Sequence, residues 1–265
     1  MAPMEHPDSK GYYRILGMAP HASDVALAKA YRERRKALAG REGRLGGDMQ
    51  QRALEDAWQT LSDPVRREAY DLEALTACTG GASGPDDGGD PVACTRCNSV
   101  TAQPRFLTFH RVAGGITRVS HERLTGIYCA RCARDVAVGA SLLTWMIGWW
   151  GFPNGPAASV RAILANARGG DFPRAPNARL LAWQAHSFLR AGKPDLARAV
   201  ARVGLRLDPD GPHAAALTRL IGEQTPPMLR NQWLMMRAGA ALQLFPVLLA
   251  LAVLVLVITG ITRGG

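Results

Sequence analysis

Apolar residues recur at three- and four-residue spacing along two stretches near the start of the chain. Leu27, Ala30, Tyr31 and Leu38 stand among Lys and Arg between Val25 and Leu38, and Ala53, Leu54, Ala57, Trp58 and Leu61 share one face between Gln50 and Leu61, the periodicity of two amphipathic helices. Ser23 and Asp48 occupy N-cap places, and Gly40, Gly43, Gly46 and Gly47 put a loop between the helices. From Thr79 to Pro91 the pattern breaks, since ten of thirteen residues are Gly, Pro or Asp, and a linker is expected there. Strand patterns follow: Arg105 to Val112 and Ile116 to Val119 flank Ala113-Gly114-Gly115, with Leu124 to Cys129 as a third strand. A charge-free stretch from Val136 to Val160 carries Trp145, Trp149 and Trp150, and helical patterns over 158–167, 178–191, 195–207 and 213–221 come after it. The last run, 238–262, is 25 residues without a charge.

Composition adds little until it is divided along the chain. Over 265 residues, 47% are apolar and 20% charged, which excludes disorder and collagen. The net charge of +10 is local: the first 78 residues are neutral, and 136–237 hold twelve Lys or Arg against five acids. Five cysteines, four of them in two Cys-x-x-Cys pairs, suit metal binding in a reducing compartment. Acids close to Met1 and the lack of an apolar run there give no secretory signal.

The front residues resemble the J-domain family. The likeness rests on Tyr12-Tyr13-Arg14-Ile15-Leu16-Gly17, Ala30-Tyr31-Arg32, Asp56-Ala57-Trp58, Leu61-Ser62-Asp63-Pro64, Arg66-Arg67 and Tyr70-Asp71, in order and at matching spacing over about 60 residues. The resemblance implies a helical J fold and, as partner, a chaperone of the seventy-kilodalton class whose ATP hydrolysis a His-Pro-Asp tripeptide stimulates. At that place this chain has Ala39-Gly40-Arg41. A guanidinium in place of the carboxylate reverses the sign of the contact with a basic ATPase surface, so stimulation is expected to be lost. His6-Pro7-Asp8 lies ahead of the first helix and reads as coincidence. Lys29, Arg32, Arg35 and Lys36, with Arg34, keep a basic face on the second helix that can dock an acidic surface.

Cys94, Cys97, Cys129 and Cys132 form two knuckles that supply four thiolates, the donor set of tetrahedral structural zinc. His110 and His121 are spare ligands should one cysteine not serve. Four thiolates leave no open position, so this zinc is expected to hold a ribbon together rather than catalyse. Nucleic-acid binding is not favoured, because the 79–135 segment carries only a small positive excess and no aromatic platform.

Residues 178–209 are similar to one tetratricopeptide repeat, through Leu181, Ala185, Phe188, Ala197, Ala201, Gly204 and Pro209, with Gln184 at a place that is usually apolar. The 238–262 run is long enough to cross about 30 Å of hydrocarbon as a helix. The positive excess before it predicts a single-pass, tail-anchored protein with its bulk in the cytoplasm, for example on a bacterial inner membrane.

The expected fold class is therefore multidomain and mainly α: a flexible N-terminus (1–10), a J-like domain (11–78), a linker (79–92) and a zinc ribbon (93–135). A Trp-rich interfacial or packing segment (136–157), a tetratricopeptide-like segment (158–237), a transmembrane helix (238–262) and a short tail (263–265) follow. No nucleophile with an adjacent base, phosphate loop or carboxylate pair stands out, so a non-enzyme is expected. The leading reading is a membrane-anchored J-like adaptor that binds protein partners, either a seventy-kilodalton-class chaperone or subunits of a membrane complex. The alternatives are an active membrane-tethered co-chaperone and a zinc-ribbon nucleic-acid-binding regulator.

Overall fold

The structure, a computed structural model, describes residues 8–20, 22–39, 47–78, 89–115, 119–151, 154–222, 227–234, 239–245 and 259. The chain divides into two compact units. One comprises 1–108, 122–132 and 172–231, and the other 109–121, 133–171 and 232–265.

The first unit opens with four helices: α1 (Tyr12–Leu16), α2 (Asp24–Leu38), α3 (Gly47–Leu61) and α4 (Pro64–Cys78). Gly17, at φ 65°, ends α1, and the N–H of Met18 reaches back to the carbonyl of Tyr13, a stop that a left-handed residue makes possible. Ser23 caps α2 as expected, its hydroxyl accepting from the N–H of Ala26 at 3.2 Å. Asp48 does not cap α3. The helix begins one residue earlier, at Gly47, which leaves Asp48 in the first turn, where its charge faces the N-terminal end of the dipole. Asp63 accepts from the N–H groups of Val65 and Arg66, with Pro64 at the first helical position of α4. Tyr13, Leu16, Leu27, Tyr31, Leu54, Ala57, Leu61 and Tyr70 form the core, and Tyr31 stacks on Trp58 with centroids 4.5 Å apart.

The same unit holds most of the later helices. Helices α7 (Arg174–Arg190) and α8 (Pro194–Leu207) pack as a pair with α9 (Ala214–Ile221) against them, around Leu181, Ala185, Phe188, Ala197, Val200, Ala201 and Leu217. Leu72 and Leu75 of α4 share a core with Val92, Phe106, Ile127, Leu180 and Trp183, so α4 has a second apolar face. Gln184 is buried because its amide pairs with both backbone groups of Val92 and with the carbonyl of Thr101. The tetratricopeptide likeness gains no support beyond the helical pairing itself.

The sheet has two strands, β1 (Arg105–Gly114) and β2 (Val119–Tyr128). The expected third strand is part of β2, which runs unbroken from Val119 to Tyr128. Residues 116–118 lie outside the described residues. Helix α5 (Ala130–Ile147), which belongs to the second unit from Ala133 onward, is followed by a 3-10 turn (Gly148–Trp150) and α6 (Gly155–Ala167). Thr144 on α5 accepts from the N–H of Val112, and the Asn166 amide at the end of α6 takes both backbone groups of His110.

The transmembrane helix expected over 238–262 is corrected, and with it that part of the fold class: among the described residues no helix is long and apolar enough to cross a membrane. Residues 239–245 are helical, about 10 Å of rise. Gln243 within them is buried and accepts from the Ser141 hydroxyl of α5 at 2.7 Å, which is protein packing rather than lipid contact. Apart from Thr259, the remaining positions of that run lie outside the described residues. What the structure shows is a mostly helical chain with a small two-stranded sheet, and the single-pass membrane location expected from the sequence falls with the span.

Candidate metal centre

Two local devices bring the four cysteines together. The first knuckle is a tight turn. The N–H of Asn98 reaches the carbonyl of Cys94 at 2.8 Å, the N–H of Cys94 reaches the carbonyl of Ser99 at 2.9 Å, and Ala93 and Val100 form a bridge below it. Asn98 takes a left-handed backbone, at φ 55°, a conformation Asn tolerates better than most residues. The second knuckle is the start of a helix. Cys129 precedes α5, and its Sγ accepts from the N–H of Cys132 at 3.5 Å.

The knuckles are joined by Thr95, whose N–H and hydroxyl both donate to the carbonyl of Ile127, at 2.8 and 3.0 Å. A β-carbon on Gly126 would lie 2.9 Å from the Thr95 hydroxyl and 2.7 Å from the Tyr128 ring, so only glycine lets β2 approach this turn. As a result all four sulfurs lie within 4.8 Å of one another. The Cys97 and Cys129 sulfurs are 3.8 Å apart. A tetrahedron with metal–sulfur bonds of about 2.3 Å requires sulfur separations of about 3.8 Å, so the donor set fits zinc in both chemistry and spacing. Cys94, Cys97, Cys129 and Cys132 would hold the ion, and such a closed shell supplies structural cross-linking.

Without a metal the thiols differ. The Ser99 hydroxyl, 2.9 Å from Cys97 Sγ, is the main reason its pKa is lowered to about 6. Burial is the main reason those of Cys94 and Cys132 rise. Among the described residues the cluster contains no histidine. His110 instead places Nε2 2.7 Å from an Asp171 oxygen.

The basic residues expected to dock a partner all lie on exposed α2, although not all are unengaged. Lys29 pairs with Glu33 at 3.7 Å, and Arg32 donates to the carbonyl of Ala28. Ala39 is the exposed C-cap of α2, its N–H bonded to the carbonyl of Arg35. Gly40 and Arg41 lie outside the described residues. Asp8 carries more structure than the sequence suggested. Its carboxylate accepts from the N–H of Arg14 at 2.9 Å and from the Tyr70 hydroxyl, tying the start of α1 to α4.

The polar network behind α1 is not legible in the sequence pattern. Arg67 is fully buried and donates to the Tyr13 hydroxyl (2.9 Å), an Asp24 oxygen (2.7 Å) and the carbonyls of Pro20 and Ala22 (3.1 and 2.7 Å). Tyr13 in turn donates to Asp71 at 2.7 Å. Arg66-Arg67 and Tyr70-Asp71 had been legible only as parts of a family pattern.

Fold and site together define a mostly helical chain that carries one four-thiolate centre. Comparison with known proteins shows what one part of the chain is similar to. A stretch of 83 residues is 41% identical to a DnaJ protein homolog of Cucumis sativus, covering 30% of this chain and 19% of that protein. Another match, over 87 residues, is 33% identical to DnaJ protein homolog 1 of Drosophila melanogaster, covering 32% and 26%. A third, over 86 residues, is 36% identical to the chaperone protein DnaJ of Methylobacterium sp. (strain 4-46), covering 31% and 22%. These matches support a J-domain family for about a third of the chain, and the chain spans about a fifth to a quarter of the length of these relatives. No family model matches the chain, and no solved structure matches it.

Proposed function

We propose that this chain is a J-domain-like adaptor that binds protein partners, carries a structural zinc, and does not stimulate a chaperone ATPase. The observation that carries the reading is Ala39-Gly40-Arg41 in place of the His-Pro-Asp tripeptide at the end of an otherwise J-like second helix. The similarity to DnaJ proteins makes a seventy-kilodalton-class chaperone the leading partner, with exposed Lys29, Arg32, Arg35 and Lys36 as the surface offered to it. Arg41 brings a positive charge where the tripeptide brings a carboxylate, and like charges repel a basic ATPase surface. Binding and stimulation are thereby separated. We assign the chain no catalytic group of its own.

The test is turnover of such a chaperone with the purified, zinc-loaded full chain added. The expected result is the basal hydrolysis rate, with complex formation seen separately by co-sedimentation. A dose-dependent rise in hydrolysis overturns the reading in favour of an active co-chaperone. The zinc is tested by metal analysis under reducing conditions: one equivalent per chain is expected, and none contradicts the four-thiolate site.

A further inference from the structure

We propose that Cys97 is the ligand through which the four-cysteine centre gives up its metal, and the thiol that soft carbon electrophiles modify first. This rests on the zinc reading above. The four sulfurs are close together but unequally sheltered. Cys94 and Cys132 are 2% and 7% exposed, Cys129 is partly covered, and Cys97 is exposed. All residues from Arg96 to Val100 are exposed as well, so solvent reaches the outer side of the first knuckle along its whole turn.

Anchoring is equally one-sided. Cys132 lies in α5 and Cys129 at its start, where the helix holds both. Cys94 sits beside the twofold attachment of Thr95 to Ile127 and between buried Ala93 and that attachment. Cys97 lies in the turn between Arg96 and left-handed Asn98, and the Ser99 hydroxyl at 2.9 Å is itself exposed. An attacking molecule can approach Cys97 with the knuckle closed. To reach Cys94 or Cys132 it must first open the site.

With iodoacetamide as the probe, a lone pair of the Cys97 thiolate forms the new sulfur–carbon bond while the carbon–iodine bond breaks. Iodide leaves, and no proton is transferred. The product is a neutral thioether, a much weaker ligand than a thiolate, so the remaining three sulfurs hold the ion less tightly. Modification and metal release are then one event. The geometry assigns to this site a sensitivity to soft electrophiles that a fully buried four-thiolate centre lacks.

The experiment uses the full, zinc-loaded chain and limiting iodoacetamide. Tandem mass spectrometry locates the first adduct among the four ligand cysteines, with Cys78 read separately, while a chromogenic chelator follows zinc. Expected is alkylation of Cys97 at least about tenfold faster than of Cys94 or Cys132, with zinc appearing in step with that adduct. A first adduct on Cys94, Cys129 or Cys132, equal rates at all four, or zinc release ahead of any adduct overturns the proposal while the zinc reading stands. A purified chain that takes up no zinc overturns that reading, and the proposal with it.

Discussion

Arg67 puts a full positive charge where water does not reach, and four acceptors surround it: the Tyr13 hydroxyl, Asp24 and two carbonyls. Removing the guanidinium leaves the carbonyls of Pro20 and Ala22 without this donor, which costs more than the bonds themselves contribute, whereas exposed Asp24 keeps Arg123 and the Tyr13 hydroxyl keeps Asp71. Arg67→Ala is therefore expected to lower stability by about 1–3 kcal/mol in chemical denaturation, and no measurable loss would show the guanidinium to be dispensable. Burial also raises the pKa of Tyr70 to about 12, with the bond to Asp8 next among the causes. The folded state thus prefers the neutral phenol. This stabilisation is complete below the ordinary tyrosine pKa of about 10 and is lost as pH rises from there through about 12. Circular dichroism across that range should show the helices weakening, with Tyr70→Phe shifting the loss to higher pH. An unchanged profile in the variant contradicts this role.

At the scale of the element, strand β2 joins the metal centre to the front helices. Ala22, ahead of α2, bridges to Glu122, and Arg123 donates to the same Asp24 oxygen that Arg67 holds, at 3.2 Å. The strand then ends at Tyr128, immediately before Cys129. Removing the metal should accordingly speed hydrogen exchange around Ala22 and Leu27 as well as at the knuckles; exchange confined to the knuckles would show that β2 transmits nothing. Strand β1 depends on side chains borrowed from helices. The Asn177 amide takes the N–H and carbonyl of Phe106, at 2.9 and 2.8 Å. Asn177→Ala leaves both buried groups unpaired, and a stability loss of about 1–3 kcal/mol per group is expected in thermal unfolding; no loss would mean the strand re-forms its bonds elsewhere. These elements also mark what the sequence could and could not disclose. Ser23, Asp63-Pro64 and the Cys-x-x-Cys spacing act within a few residues, so their roles were legible. Asn177 and Gln184 serve backbone 71 and 92 residues away, which no local periodicity records, and Gln184 looked out of place for that reason.

For the whole molecule, the sequence disclosed the order of the parts better than their joining. Thr79 to Pro91 reads as a separator, yet on either side of it Leu72 and Leu75 share a core with Val92, Phe106, Leu180 and Trp183. Helix α4 therefore belongs to a larger unit than the J-like pattern suggests. The charge-free run at 238–262 pointed to a bilayer because hydropathy counts side chains without their partners. Within the described part of it, Gln243 is buried on Ser141. The proposed function turns on Ala39, Gly40 and Arg41, which stand where the J-domain pattern has His-Pro-Asp. It is tested most directly by measuring chaperone ATPase turnover with the natural full chain beside the combined variant Ala39→His, Gly40→Pro, Arg41→Asp. The natural chain is expected to leave the rate at its basal value and the variant to raise it; equal stimulation by the two would contradict the account.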